Sequence, residues 1–318
     1  MARIALKVDV DTLRGTREGV PALVRLLLRE HAAASFLFSV GPDHTGRAIF
    51  RALRPGFLRK VSRTSVVEHY GIRTLLYGVL LPGPDIGRAE GATIRGVRDQ
   101  GFEVGVHCWD HVRWQDRLMA RDGAWAEREM RLAVQRLAEL LGAAPALHGA
   151  AGWQFNAAAA SAEAALGITH ASDTRGSHPF VPVDDAGRVL GPPQFPTTLP
   201  TLDELIGTRG LHAGNVHAHL LALTEDAARD QVFTLHAELE GMKLRPVLER
   251  LIRGWRAQGH ALVDLRTLHG ASPPATLARH RLATGSVPGR SGTLAVQGAP
   301  WVARAPVPRQ VPEPVPRA

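Results

Sequence analysis

Val104-Gly105-Val106-His107-Cys108-Trp109-Asp110-His111 is a short apolar run that passes straight into two histidines four positions apart. A strand followed by one helical turn puts both imidazoles on one side, within reach of a single cation. In a chain with 15 histidines the pair alone says little. Asp9-Val10-Asp11, at the end of the first apolar run, adds to it. Alternation along a strand sends both carboxylates the same way, so one can complete a His-His-Asp set while the other stays free.

On either side of that stretch, strand and helix patterns alternate. Val20, Leu23, Val24, Leu27 and Leu28 mark a helical face, and residues 34–40 read as a strand. Residues 89–100 follow as a helix, 102–106 as a strand and 125–141 as a long helix. Strand patterns over 146–151, 168–172, 232–236 and 261–265 then alternate with helical ones over 157–166, 216–228 and 246–258. This order predicts an α/β fold of parallel strands with outer helices. A barrel-like closure gathers strand C-termini at one mouth. Asp9, Asp11, His107, Ala150 and His236 all fall at or just past such ends.

With 318 residues, 45% of them hydrophobic and 21% charged, the chain can bury a core of one large domain or two small ones. The single cysteine, Cys108, excludes a disulfide framework and fits a reducing compartment. On a helical turn it points away from His107 and His111, which suits a small packed residue better than a nucleophile. The net charge of +8 is uneven: residues 271–318 hold six arginines and one acid, so +5 of it lies there. The same 48 residues contain nine prolines and no strand or helical period, and are expected to be a disordered basic tail. No aromatic-interleaved basic sheet or recognition helix accompanies the charge, so nucleic acid is not expected as a partner.

Residues 44–67 hold six lysines and arginines, no acid, and Ile49, Phe50, Leu53, Phe57, Leu58 and Val61 between them. Followed by Leu75 to Leu81, this stretch reads as a basic amphipathic insertion over about 44–88. It suits an anionic membrane surface, or equally a helix packed on the core with a solvated basic face. No signal peptide precedes the first strand pattern, and no apolar stretch in the first half approaches the roughly 20 residues of a spanning helix.

Two histidines and one carboxylate around a divalent ion leave positions open for water and a substrate oxygen. The spare aspartate could take the water's proton, and His236, in Phe233-Thr234-Leu235-His236, could protonate a leaving atom.

The paired aspartates, the His-x-x-x-His spacing and the late Leu-His resemble the NodB-homology polysaccharide deacetylases over residues 3–265. The resemblance implies a distorted seven-stranded (β/α) barrel over residues 1–270. It also implies that Asp9 is the base, that Asp11, His107 and His111 hold one divalent metal ion (Zn, Co, Mn or Fe), and that His236 is the acid. The His-Glu-x-x-His of zinc proteases is not matched, because position 108 is cysteine. The stretches 9–21, Ser39-Val40-Gly41-Pro42-Asp43, Ala150-Ala151-Gly152-Trp153, Ser172-Asp173-Thr174-Arg175-Gly176 and His236-Ala237-Glu238 resemble one branch of that family. That branch removes a formyl group from an amino-arabinose carried on a long-chain isoprenoid phosphate, in the lipid A modification that gives polymyxin resistance. The likeness implies a lipid-linked amino-sugar substrate and a cytoplasmic protein peripheral on the inner face of the inner membrane. Deacetylation of another N-acyl sugar is the alternative on the same fold.

The wider family sets an arginine before the proline of its third motif, where it positions the base. Ala150-Ala151-Gly152-Trp153 has neither residue, and Arg175 is expected to take that role. The N–H groups of Ala151 and Gly152 are candidate oxyanion donors, and Trp153 a wall for the sugar. Arg14 and Arg17 are candidates for the substrate phosphodiester.

Overall fold

The computed structural model of the chain describes residues 2–48 and 71–302. Seven strands form one curled parallel sheet: β1 (Arg3–Val10), β2 (Ser35–Ser39), β3 (Glu103–Cys108), β4 (Leu147–His148), β5 (His170–Ala171), β7 (Gln231–His236) and β8 (Ala261–Val263). The order is β5-β4-β3-β2-β1-β7, with β8 beside the start of β1. The remaining strands, β6 (Phe180–Val183), β9 (Ala278–Gly285) and β10 (Leu294–Pro300), make a separate three-stranded sheet.

β1 is the axis of the sheet. It pairs β7 along one edge, while its other edge meets β8 opposite Arg3–Ala5 and β2 opposite Lys7–Val10. A strand flanked on both edges and covered on both faces is buried along its length, and β1 is buried from Ile4 to Val10, the charged Lys7 and Asp9 included. Between β5 and β7 the extended segment 194–199 takes the place of a strand: Phe195 N–H donates to Ala171 O and Thr198 N–H to Val232 O. The closure is therefore irregular, as the expected distorted barrel requires.

The helices Val20–Arg29, Gly123–Leu141 and Arg245–Ala257 lay their apolar faces against the sheet. Leu23, Leu27, Leu248, Leu251 and Trp255 meet Leu6, Val8, Phe36, Phe38, Phe233 and Leu235 in one continuous core. Each such side chain contributes about 1.5–3 kcal/mol by leaving water. Because the core is laid between sheet and helices, the strand C-termini are left to carry chemistry.

The expected irregular tail is corrected over residues 278–300. β9 and β10 form an antiparallel hairpin, and β9 also pairs in parallel with β6. The nine prolines mislead because they are unevenly spread. Pro273 and Pro274 lie in the turn before β9, Pro288 in the hairpin connection and Pro300 at the end of β10. The other five fall between residues 306 and 316, outside the described residues. Most of the basic amphipathic stretch, residues 49–67, also lies outside the described residues.

Candidate active site

Asp9 and Asp11 lie at the C-terminal end of β1, His107 near the end of β3, and His236 closes β7 in direct register with Asp9. His111 opens the helix His111–Arg117, whose N-cap is Asp110: one carboxylate oxygen accepts from Arg113 N–H at 3.0 Å. The other oxygen lies 2.6 Å from His44 Nδ1. The cap fixes where the helix starts, and hence where His111 sits relative to His107.

The three expected ligands converge. Asp11 Oδ1 is 3.2 Å from His107 Nε2 and 3.4 Å from His111 Nε2, and ligand atoms of all three lie within 4.8 Å of one another. His107 Nδ1 is 2.6 Å from Gly149 O, an acceptor only, so Nδ1 carries a proton and Nε2 is the nitrogen turned to Asp11. Asp11 Oδ1 itself is buried and has no hydrogen-bond partner. Burial works against its charge, yet His111 and His107 hold it well below the usual carboxylate range. A buried, ionised oxygen facing imidazole nitrogens is what a cation site needs.

Glu238 braces Asp11 from behind. Its Oε1 accepts from the N–H groups of Asp11 and Thr12 and from the Thr12 hydroxyl, at 3.1, 2.9 and 2.7 Å. Burial, and then the Asp11 charge, push its own pKa up to about 8. Asp43 accepts from Leu13 N–H at 2.9 Å and so ties the same loop to the end of β2.

His236 is partly exposed and its Nδ1 has no hydrogen-bond partner. The backbone N–H of His236 donates to Glu240 Oε2 at 2.8 Å. Burial opposes a charge on the ring, but Asp203, Asp11, Glu240 and Asp9 outweigh it and raise its pKa. Cys108 is buried, 3.2 Å from Ser39 Oγ, and burial pushes its thiol up; it is a packed residue, as expected.

Two expectations are corrected. Arg175 does not reach the base: it is bound to Glu204 at 2.5 Å and to the carbonyls of Thr197 and Leu199. Asp9 meets Lys7 instead, with Nζ 3.4 Å from Asp9 Oδ2. Trp153 offers no face to a sugar, being only 1% exposed, with the cations of Lys7, Arg175 and Arg290 against its ring. It stands edge-on to His236 at 6.5 Å and supports that histidine from behind. Arg14 and Arg17 lie near the surface, paired with Glu18 at 3.0 Å and Glu90 at 2.7 Å.

Ala151 and Gly152 form a sharp turn past β4, with φ of 60° at Gly152 and 54° at Trp153. A Cβ at Gly152 would come within 2.4 Å of Gln115 Nε2, so only glycine suits both the φ and the space. Lys7 escaped the sequence reading although its signal was present. Period-two alternation puts Lys7, Asp9 and Asp11 on the same side of β1.

No family model matches the chain. It is 38% identical over 253 residues to a Shewanella sediminis protein named probable 4-deoxy-4-formamido-L-arabinose-phosphoundecaprenol deformylase ArnD, covering 79% of this chain and 81% of the relative. A Wigglesworthia glossinidia brevipalpis protein of the same name is 29% identical over 287 residues, 89% of this chain and 98% of the relative. Among solved structures, a provisionally named polysaccharide deacetylase from Mycobacterium smegmatis matches with a TM-score of 0.60 over 90% of this chain and 96% of its own, at 14% identity. The allantoinase Puue matches at 0.52 and 16% identity over 86% and 92% of the two chains, so the fold by itself does not choose a substrate. At 38% identity over most of both chains, the chain belongs to the family of 4-deoxy-4-formamido-L-arabinose-phosphoundecaprenol deformylases.

Proposed function

We propose that this protein hydrolyses the formamide of 4-deoxy-4-formamido-L-arabinose-phosphoundecaprenol, releasing formate and the free amino sugar for lipid A modification. The observation that carries the reading is the meeting of Asp11, His107 and His111 beside Asp9, whose register partner on β7 is His236.

The donor set suits one divalent cation such as Zn, Co, Mn or Fe, because two imidazoles and a carboxylate leave part of the coordination sphere open. Bound there, the ion would supply Lewis acidity, which acidifies water and polarises a carbonyl oxygen. Asp9 Oδ1, buried and without a hydrogen-bond partner, takes one proton from the attacking water. The new C–O bond forms at the formyl carbon, and the oxyanion that results faces the N–H groups of the Ala151-Gly152 turn. His236, its pKa raised, gives one proton to the sugar nitrogen as the C–N bond breaks. Arg175, Glu204 and Trp153 hold the wall behind His236 and take no part in proton transfer.

A membrane-borne substrate fits the surface at 71–81. Ile72 is 69% exposed and Leu80 76% exposed, next to the exposed Val79 and Leu81 and the arginines at 47 and 73. Apolar side chains flanked by cations suit the inner, anionic leaflet. No helix among the described residues is long and apolar enough to cross a membrane. Nucleic acid is not a partner on this reading.

The test is mass spectrometry of the lipid-linked formamido sugar after incubation with the protein, with and without chelator. Loss of one formyl unit only when metal is present is expected. Equal turnover of the acetamido analogue would replace the deformylase reading with a general N-acyl sugar deacetylase, and turnover unaffected by chelator would refute the metal-dependent one.

A further inference from the structure

Lys7 is wholly buried, which is rare for a lysine, and its ammonium has a defined set of neighbours. Nζ donates to Ser172 O at 2.9 Å, lies 3.4 Å from Asp9 Oδ2, and stands 5.2 Å from the centre of the Trp153 ring. Each of these is itself fixed. Ser172 N–H donates to His148 O and its hydroxyl to Phe195 O at 2.6 Å, while the Trp153 indole N–H donates to Thr197 Oγ1 at 3.1 Å. The lysine stem passes Gly149, where an added Cβ would lie 3.0 Å from Lys7 Cε. The Gly149 carbonyl is the one that orients His107.

The two oxygens of Asp9 are therefore unlike. Oδ2 is turned to Lys7, whereas Oδ1 is buried, has no hydrogen-bond partner and lies 3.9 Å from His107 Nδ1. We infer that Lys7 is a positioning residue for the deformylation reaction: it grips Asp9 Oδ2 and so presents Oδ1, and only Oδ1, to the attacking water. The inference rests on the proposed function for its kinetic consequence, but its geometric content stands without it. Stranding a lysine in the interior costs several kcal/mol unless a charge answers it, and Asp9 is the carboxylate in salt-bridge contact with it. The reverse also holds: without Lys7 the Asp9 side chain has no fixed donor to choose its rotamer.

The test is a double-mutant cycle with a structural arm. Lys7→Met keeps the bulk of the stem and removes the charge. In it kcat should fall by about 100-fold or more, with KM and bound metal within about twofold of wild type and the Asp9 carboxylate rotated or split between conformers in the crystal structure. Lys7→Arg, which keeps a cation, should recover most of kcat. In an Asp9→Asn background, adding Lys7→Met should change kcat by less than about twofold, because a residue that acts only through Asp9 has nothing left to act on. This double variant also removes both buried charges together, so it keeps the cycle readable if Lys7→Met alone folds poorly. Wild-type kcat in Lys7→Met, an unmoved Asp9 carboxylate, loss of metal, or an equal loss in both backgrounds would each overturn the inference. If wild-type protein fails to deformylate the substrate while Asp9 still moves in Lys7→Met, the functional reading fails and the positioning role survives.

Discussion

Among the described residues two groups of three acid and imidazole side chains bring their ligand atoms together, and they differ in how far they are open to a cation. One is Asp11, His107 and His111; the other is His148, Glu163 and Asp173. In the first group the Asp11 oxygen has no hydrogen-bond partner and His111 is partly exposed, so the cluster is unfinished and reachable. The second is finished in that all three members are buried and bound to one another, although Glu163 Oε2 keeps no hydrogen-bond partner among the described residues. His148 Nδ1 lies between Glu163 Oε1 at 2.7 Å and Asp173 Oδ1 at 2.8 Å, and Asp173 also accepts from Ala150 N–H and from the Gln194 side chain. Burial, and then the nearby Asp173, push the Glu163 carboxyl up. What separates the two is access: a catalytic metal centre needs a side open to water and substrate, which the partly exposed His111 leaves and the wholly buried second group does not.

The largest effect should come from breaking the unfinished cluster. Asp11→Ala or His107→Ala should remove bound metal and turnover together, whereas His148→Ala should leave one equivalent of metal in place; metal analysis of the purified variants decides between them. Next, Asp9→Asn should lower kcat by about 10²- to 10⁴-fold without changing metal content, measured in single-turnover assays.

In the finished cluster the loss should appear as stability. Asp173→Asn removes the charge that answers His148 and should cost about 3–5 kcal/mol in denaturant unfolding. The Ala151-Gly152 turn should loosen with it, because Asp173 also holds Ala150. The pH dependence has a definite sign. Burial opposes a charge on His148, but Asp173, more than Glu163, raises its pKa from 6.5 to about 10. A raised imidazole pKa favours the folded state fully below 6.5, and that contribution fades as pH climbs towards about 10. Wild-type Tm should therefore fall across that window, and the fall should shrink in His148→Phe. Smallest of all, Cys108 should resist thiol reagents in the native protein at neutral pH, since burial pushes its thiol up.

The contrast also marks what the sequence could tell. β1, β3 and β7, and the Asp9, Asp11, His107 and His236 that end them, were legible because alternation and strand-end position are local properties. The finished cluster was not, because His148 ends β4, Glu163 lies on the helix Ala157–Ala165 and Asp173 follows β5. Arg175 was misread for the same reason: Glu204, which binds it, is 29 positions away. The β9–β10 hairpin was hidden by composition, since its prolines stand at turns and strand ends while the sequence shows only their number. Lys7 was in plain view, two positions before Asp9, but a charged residue in an apolar strand gains meaning only once both faces of that strand are covered.

The most direct test of the account is a metal titration of chelator-treated protein, following formyl release from the lipid-linked substrate at each addition. One equivalent of divalent ion should restore full turnover in wild type and in the His148→Ala variant, and none in His107→Ala. Full turnover by metal-free protein, or restoration in His107→Ala, would contradict it.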